Sequence, residues 1–160
     1  MCLRPFEHLL AGAGLVLGDM DTSDEWHFER DMPWHYVQNS FMYSRPGHPF
    51  WLQLVARINA TASDAGGAPE PLTGPHALMR ELAARTRAAE PSVADVRVLP
   101  PAATNPFSWT HAERELDTAC ASRNRMSQEA LVRCIAAHRN RSDEFVLQLH
   151  TQTWGHGTVL

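Results

Sequence analysis

The spacing of apolar and polar positions along this chain switches between the strand and helix periods, so short strands alternate with helices. Leu15-Val16-Leu17 is a short apolar run stopped by Gly18 and reads as a buried strand. Asp19 to Trp34 is acidic and aromatic with no period, which predicts a surface loop. Val37 to Ser44 reads as a second strand leading into the turn signal Arg45-Pro46-Gly47. Pro49 then opens a helix in which Phe50, Trp51, Leu54, Val55 and Ile58 fall on one face. Proline suits a first helical turn because its missing N–H would have no intrahelical partner there. Ser63 to Pro71, with Gly66 and Gly67, predicts a flexible loop. Thr73-Gly74-Pro75 starts a second helix running to about Glu90, with Leu78, Leu82 and several alanines inward, and Pro91 stops it.

Val96 to Leu99 alternates like a strand and ends at Pro100 and Pro101. Residues 102–126 read as mostly irregular. Ser127 caps a third helix whose buried stripe is Leu131, Val132 and Ile135. Phe145 to Leu149 is a last strand before a polar, His-rich tail ending at Leu160. Strands alternating with helices predict an α/β layer structure, and no internal repeat is visible.

The 160 residues suit one domain with one core. The formal net charge is −4, every cation is Arg, and no basic face suited to nucleic acid stands out. No stretch approaches the ~20 apolar residues that span a bilayer, so the chain as given reads as soluble. A membrane enters only through an anchor further upstream. Cys120 and Cys134 bracket a polar segment and can pair in an oxidising lumen, or remain reduced like Cys2. The sequons Asn59-Ala60-Thr61 and Asn140-Arg141-Ser142 permit N-glycosylation in that same compartment.

Two constellations suggest other chemistry. Cys134 and His138 stand one helical turn apart, with Cys120, His150 and His156 elsewhere, so a Cys2His2 zinc site is formally open. However, no CxxC pair occurs. No G-x-S-x-G elbow supports a hydrolase.

Four segments in order carry a family resemblance. They are Cys2-Leu3-Arg4-Pro5-Phe6; Asn39 through Trp51, including Ser44-Arg45-Pro46-Gly47-His48-Pro49-Phe50; Thr73-Gly74-Pro75; and Asn105-Pro106-Phe107-Ser108-Trp109 after Pro100-Pro101, with Thr153-Trp154-Gly155 near the end. This series resembles the glycosyltransferases with a DXD sugar-binding region, the Och1-like and inositol phosphoceramide mannosyltransferases of glycosyltransferase family thirty-two. The second segment is the most specific match.

The resemblance implies a partial GT-A-like fold, a mixed sheet flanked by helices, with residues 1–160 as the acceptor-side part of a catalytic domain. It implies transfer of a hexosyl group, mannose first, from a nucleotide sugar to a glycan or glycolipid hydroxyl, with Mn²⁺ or Mg²⁺ and in a Golgi or secretory lumen. The cation would neutralise the diphosphate that leaves. Family members carry the DXD just before the Cys2 segment, whereas here Met1 precedes it. The resemblance therefore implies an N-terminally truncated enzyme, weakly active or inactive alone, or a catalytically dead sugar-binding or structural remnant.

The residues implied in donor or acceptor binding are Asn39, Gly47, His48, Thr73, Gly74, Pro75 and Trp154. Asn39 has an amide for a sugar hydroxyl, the two glycine–proline bends present helix N-termini to an anion, and Trp154 can stack on a sugar or base. Each bend equally satisfies ordinary turn and helix-start chemistry. His150 is the nearest candidate for the family's terminal metal or phosphate ligand. Asp19 and Asp21 have DXD spacing but stand after the Cys2 segment, so they read as a solvated loop, with a metal motif as the alternative. The resemblance further implies that Asn39 and both bends line one cleft.

Overall fold

The computed structural model describes residues 2–3, 5–20, 29–61, 72–104, 127–139 and 141–146. In chain order they form α1 (Glu7–Leu10), β1 (Leu15–Asp19), β2 (Val37–Ser44), α2 (Pro49–Thr61), α3 (Pro75–Arg87), a 3₁₀ turn (Pro91–Val93), β3 (Val96–Leu99), α4 (Pro101–Thr104) and α5 (Gln128–Arg139). The three strands make one mixed sheet in the order β2-β1-β3. β1 runs antiparallel to β2 and parallel to β3. The α/β class holds. The expected last strand is represented by Val146, which bridges antiparallel to Cys2, and residues 147–149 lie outside the described residues.

Alternation along β1 explains the two-sided core. Leu15 and Leu17 join Phe50 and Leu54 of α2 and Leu78 and Leu82 of α3 on one face. Val16 joins Ala13, Leu99 and Ala103 on the other, backed by Phe41, Tyr43 and Phe145. A central strand covered on both faces reads as a continuous apolar run, as this one does. Each large side chain so buried contributes roughly 1.5–3 kcal/mol.

Several expectations need correction. Gly18 does not end β1: the strand continues to Asp19, which is buried. Of the expected surface loop, Met32 and Trp34 belong to the core. Val55 is 62% exposed, because helical rotation carries it off the face set by Phe50 and Leu54. In α5 the buried residues are Cys134 and His138, whereas Val132 is 58% exposed. Ser127 does cap α5: Ala130 N–H donates to its Oγ at 3.2 Å. Cys134 is disulfide-bonded and Cys2 is free. Cys134 therefore has no thiolate for zinc. Cys120 lies outside the described residues.

Helix α3 stops at Arg87, short of Glu90, because Ala89 adopts a left-handed φ of 49° ahead of Pro91. Glu81 is buried in α3 and meets both Arg85 and Arg57 of α2, which ties the two helices together. Arg87 donates to Asp31 at 2.6 Å and to Glu29 at 2.6 Å, fixing the segment before β2 against the helix end.

At the amino ends of β1 and β3, Asp95 meets Arg45 and lies 3.1 Å from His48 Nε2. The His48 hydrogen bond and the Arg45 charge hold the Asp95 carboxyl below its ordinary value of 3.8, against the opposing effect of burial. A depressed folded pKa contributes stability that is present above 3.8 and lost as the pH falls through the depressed value. Urea unfolding is therefore expected to show wild type more stable than Asp95→Asn at pH 6, with the gap closing as the pH drops below 4. A gap that is constant with pH would show that the ion pairs contribute nothing.

Candidate functional site

The carboxyl ends of parallel strands are where open α/β sheets place ligands. Here β1 and β3 end together, at Asp19 and Leu99. A cleft of about 460 Å³ runs along β3 from Val93 and Val96 to this end, where Asp19, Trp34, His35 and Leu99 line it. Its size falls within the roughly 300–1,000 Å³ of small-molecule sites.

Asp19 organises one wall. Its Oδ1 accepts N–H bonds from Met20 at 2.9 Å and Tyr36 at 2.7 Å. Its Oδ2 accepts the His35 N–H at 2.9 Å, and His35 Nδ1 stands 3.8 Å away. The carboxylate thus pins residues 34–36 to the strand end and sets the Trp34 and His35 side chains in the cleft wall. Asp19 is neither a solvated loop residue nor a free carboxylate. Asp21 and His150 lie outside the described residues.

Across β1 from β3, β2 bulges. Leu17 pairs with Met42 and the next residue, Gly18, with Gln38, so Asn39, Ser40 and Phe41 loop out of the ladder. Bulges re-aim side chains and occur beside active sites. Asn39 and Ser40 are exposed, as a ligand contact requires. Ser40 Oγ donates to Gln38 Oε1 at 2.5 Å. Gln38 Nε2 and Thr104 Oγ1 are buried with no hydrogen-bond partner among the described residues. Both crowd Gly18: a Cβ there would stand 2.5 Å from Thr104 Oγ1 and 3.2 Å from Gln38 Nε2. Only glycine fits. Over this same region Phe6 meets Phe41, with ring centroids 5.9 Å apart, and Leu3 N–H donates to Phe145 O at 2.8 Å. The Cys2 segment, the Asn39 segment and the chain leading into the tail therefore gather on one side of the strand end.

The Gly47-His48-Pro49 bend is elsewhere. It follows Ser44, which pairs with Leu15 at the opposite end of β1 from the Gly18–Gln38 pair. That is roughly 10 Å along the strand, at about 3.3 Å per residue. His48 is buried there, between Asp95 and the Phe50 N–H, and caps α2. Gly47 holds φ 73°, which favours glycine. The bend makes turn and helix-start contacts, and it stands at the other end of β1 from Asn39. Gly74 is the N-cap of α3 and its carbonyl accepts from Ala77 and Leu78. Thr73 is exposed and Pro75 is the first helical residue. This second bend reaches the strand-end region through His76, whose ring meets that of Tyr36 at 5.9 Å. Trp154 lies outside the described residues.

His35, Gln38, Ser40 and Thr104 were not legible as site residues. Gln38 and Ser40 flank Asn39, which is a signal of sorts. Thr104 arrives only through tertiary packing. Comparison with known proteins yields no match: no protein-family model, curated protein or solved structure is similar enough to the chain to assign it.

Asp19 is engaged by three backbone donors, and no group of three or more His, Cys, Asp and Glu stands together among the described residues. No helix among them is long and apolar enough to cross a membrane.

Proposed function

We propose that this chain is the acceptor-side part of a GT-A-like glycosyltransferase, acting on a nucleotide-hexose donor and a glycan or glycolipid hydroxyl in a secretory compartment. One observation supports the reading: the exposed amide of Asn39, in the segment of strongest family resemblance, sits on a β-bulge of the strand that pairs with the carboxyl end of β1. Hexose hydroxyls suit an amide, which both donates and accepts. The Trp34 and proline walls suit the apolar face of a sugar or base. The Cys134 disulfide supports an oxidising compartment. In this reading Asn39 orients the sugar, and Asp19 positions the wall without touching the donor. Gly47 and His48 leave the donor site. No step is assigned to a metal.

A second reading, a sugar-binding module without turnover, is favoured by the use of Asp19 as an acceptor for three backbone donors. One experiment separates the two. GDP- and UDP-hexoses are titrated calorimetrically with and without Mn²⁺, and release of nucleoside diphosphate is assayed with glycan and glycolipid acceptors. Turnover supports the enzyme; saturable binding without turnover supports the module. Asn39→Ala is expected to weaken donor binding about tenfold, the loss of one hydrogen bond of about 1.4 kcal/mol. Its unfolding midpoint should not move, since the residue is exposed. Absence of binding by every donor would end both readings.

A further inference from the structure

The outer face of α2 carries an apolar stripe that the fold does not use. Leu52 is 76% exposed and Val55 is 62% exposed. In register, Leu52, Val55, Ala56 and Asn59 share one side of the helix, opposite the buried Phe50 and Leu54. Asn59 is exposed in the last turn and begins the sequon Asn59-Ala60-Thr61. We propose that Asn59 is N-glycosylated and that its glycan covers the Leu52–Val55 stripe.

Three independent observations converge. The first is direction. Side chains on a helix lean toward its N-terminus, so a group on Asn59 lies back over the turn that presents Val55, and beyond it Leu52. The spacings of four and seven residues place both directly behind the asparagine. The second is compartment. Cys134 is disulfide-bonded, and disulfides persist in the oxidising lumen where sequons are modified. The third is accessibility. The sequon closes α2, where terminal turns fray, and among the described residues Thr61 Oγ1 donates to the Arg57 carbonyl at 3.1 Å and the Ile58 carbonyl at 3.5 Å. Asn59 itself is exposed. The covalent step joins the Asn59 side-chain nitrogen to C1 of a sugar, with a lipid-linked diphosphate oligosaccharide as donor. The C1–O bond to phosphate breaks, the lipid diphosphate leaves, and the amide loses one proton. The saccharide's C–H faces then lie on Leu52 and Val55, and its hydroxyls face water.

The test uses the whole chain secreted from a eukaryotic host. Tryptic mass spectrometry is expected to find a glycan on the Asn59 peptide. Asn59→Gln and Thr61→Ala should each remove one glycan from the gel mobility, while Thr61→Ser keeps it. Enzymatic removal of the glycan should raise binding of an apolar dye, and the Leu52→Ser, Val55→Ser double variant should cancel that rise. An unmodified Asn59 in folded, secreted protein overturns the proposal. So does dye binding that deglycosylation leaves unchanged. Self-association of the glycosylated form through Leu52 and Val55 would assign the stripe to a second copy and overturn the covering role.

Discussion

Asp19→Ala is expected to destabilise the protein by about 3 kcal/mol or more and to free the cleft wall. The reason is local: the N–H groups of Met20, His35 and Tyr36 all end on this one carboxylate. A buried donor left without an acceptor costs about 1–3 kcal/mol. Water entering the vacated space would recover part of that, so the three costs do not simply add. Asp19→Asn separates geometry from charge. It keeps one oxygen for Met20 and Tyr36 but turns an NH2 group toward the His35 N–H, so about 1–3 kcal/mol is expected. Urea unfolding followed by tryptophan fluorescence measures both, and Trp34 stands in the wall that moves. The opposite pattern would mark Asp19 as a cation ligand: alanine would stabilise the metal-free protein, and Mn²⁺ would raise the midpoint of wild type alone.

Phe50→Ala should cost about 3–5 kcal/mol, the range for removing a fully buried aromatic ring. Phe50 has no solvent exposure and packs among Leu15, Leu17, Leu54 and Leu82. Val55→Ser, five residues along the same helix, should stay within about 0.5 kcal/mol, as surface changes do. Comparing the two urea midpoints tests the rotation of α2 about its own axis. Equal losses would mean the helix presents Val55 inward, and the exposed stripe would not exist.

Much of the framework was legible because it is written in short-range pattern. β2 and β3 fall on Val37–Ser44 and Val96–Leu99, where period and turn residues agree. Pro49 and Pro75 mark the first residues of α2 and α3 because proline fits only that turn of a helix interior. What failed depends on distant partners. A charged Asp19 at a strand end reads as loop until the backbone of residues 35 and 36 arrives to satisfy it. Glu81 looks like a surface position until Arg57 and Arg85 bracket it. Val55 and Val132 match helical spacing, yet hydrophobicity alone does not say which edge of a stripe the neighbouring elements reach. The site followed the same division. Asn39 was visible from its segment, but the β-bulge that presents it and the Thr104 hydroxyl nearby come from packing. The separation of the Gly47 bend from Asn39 was equally hidden, because sequence proximity to a strand does not say which end of its neighbour matters.

The parallel pairing of β1 with β3 governs how the molecule comes together. Leu15 lies beside Val96, and the intervening chain contributes β2, α2 and α3. Contacts so far apart in sequence slow folding, since the loop must close before the pairing is rewarded. The helices form from neighbouring residues, and the β1–β2 pairing closes a shorter span than the β1–β3 pairing. The cleft has β3 as one wall. It therefore exists only once that long span has closed, and a chain in which β3 is still undocked lacks it.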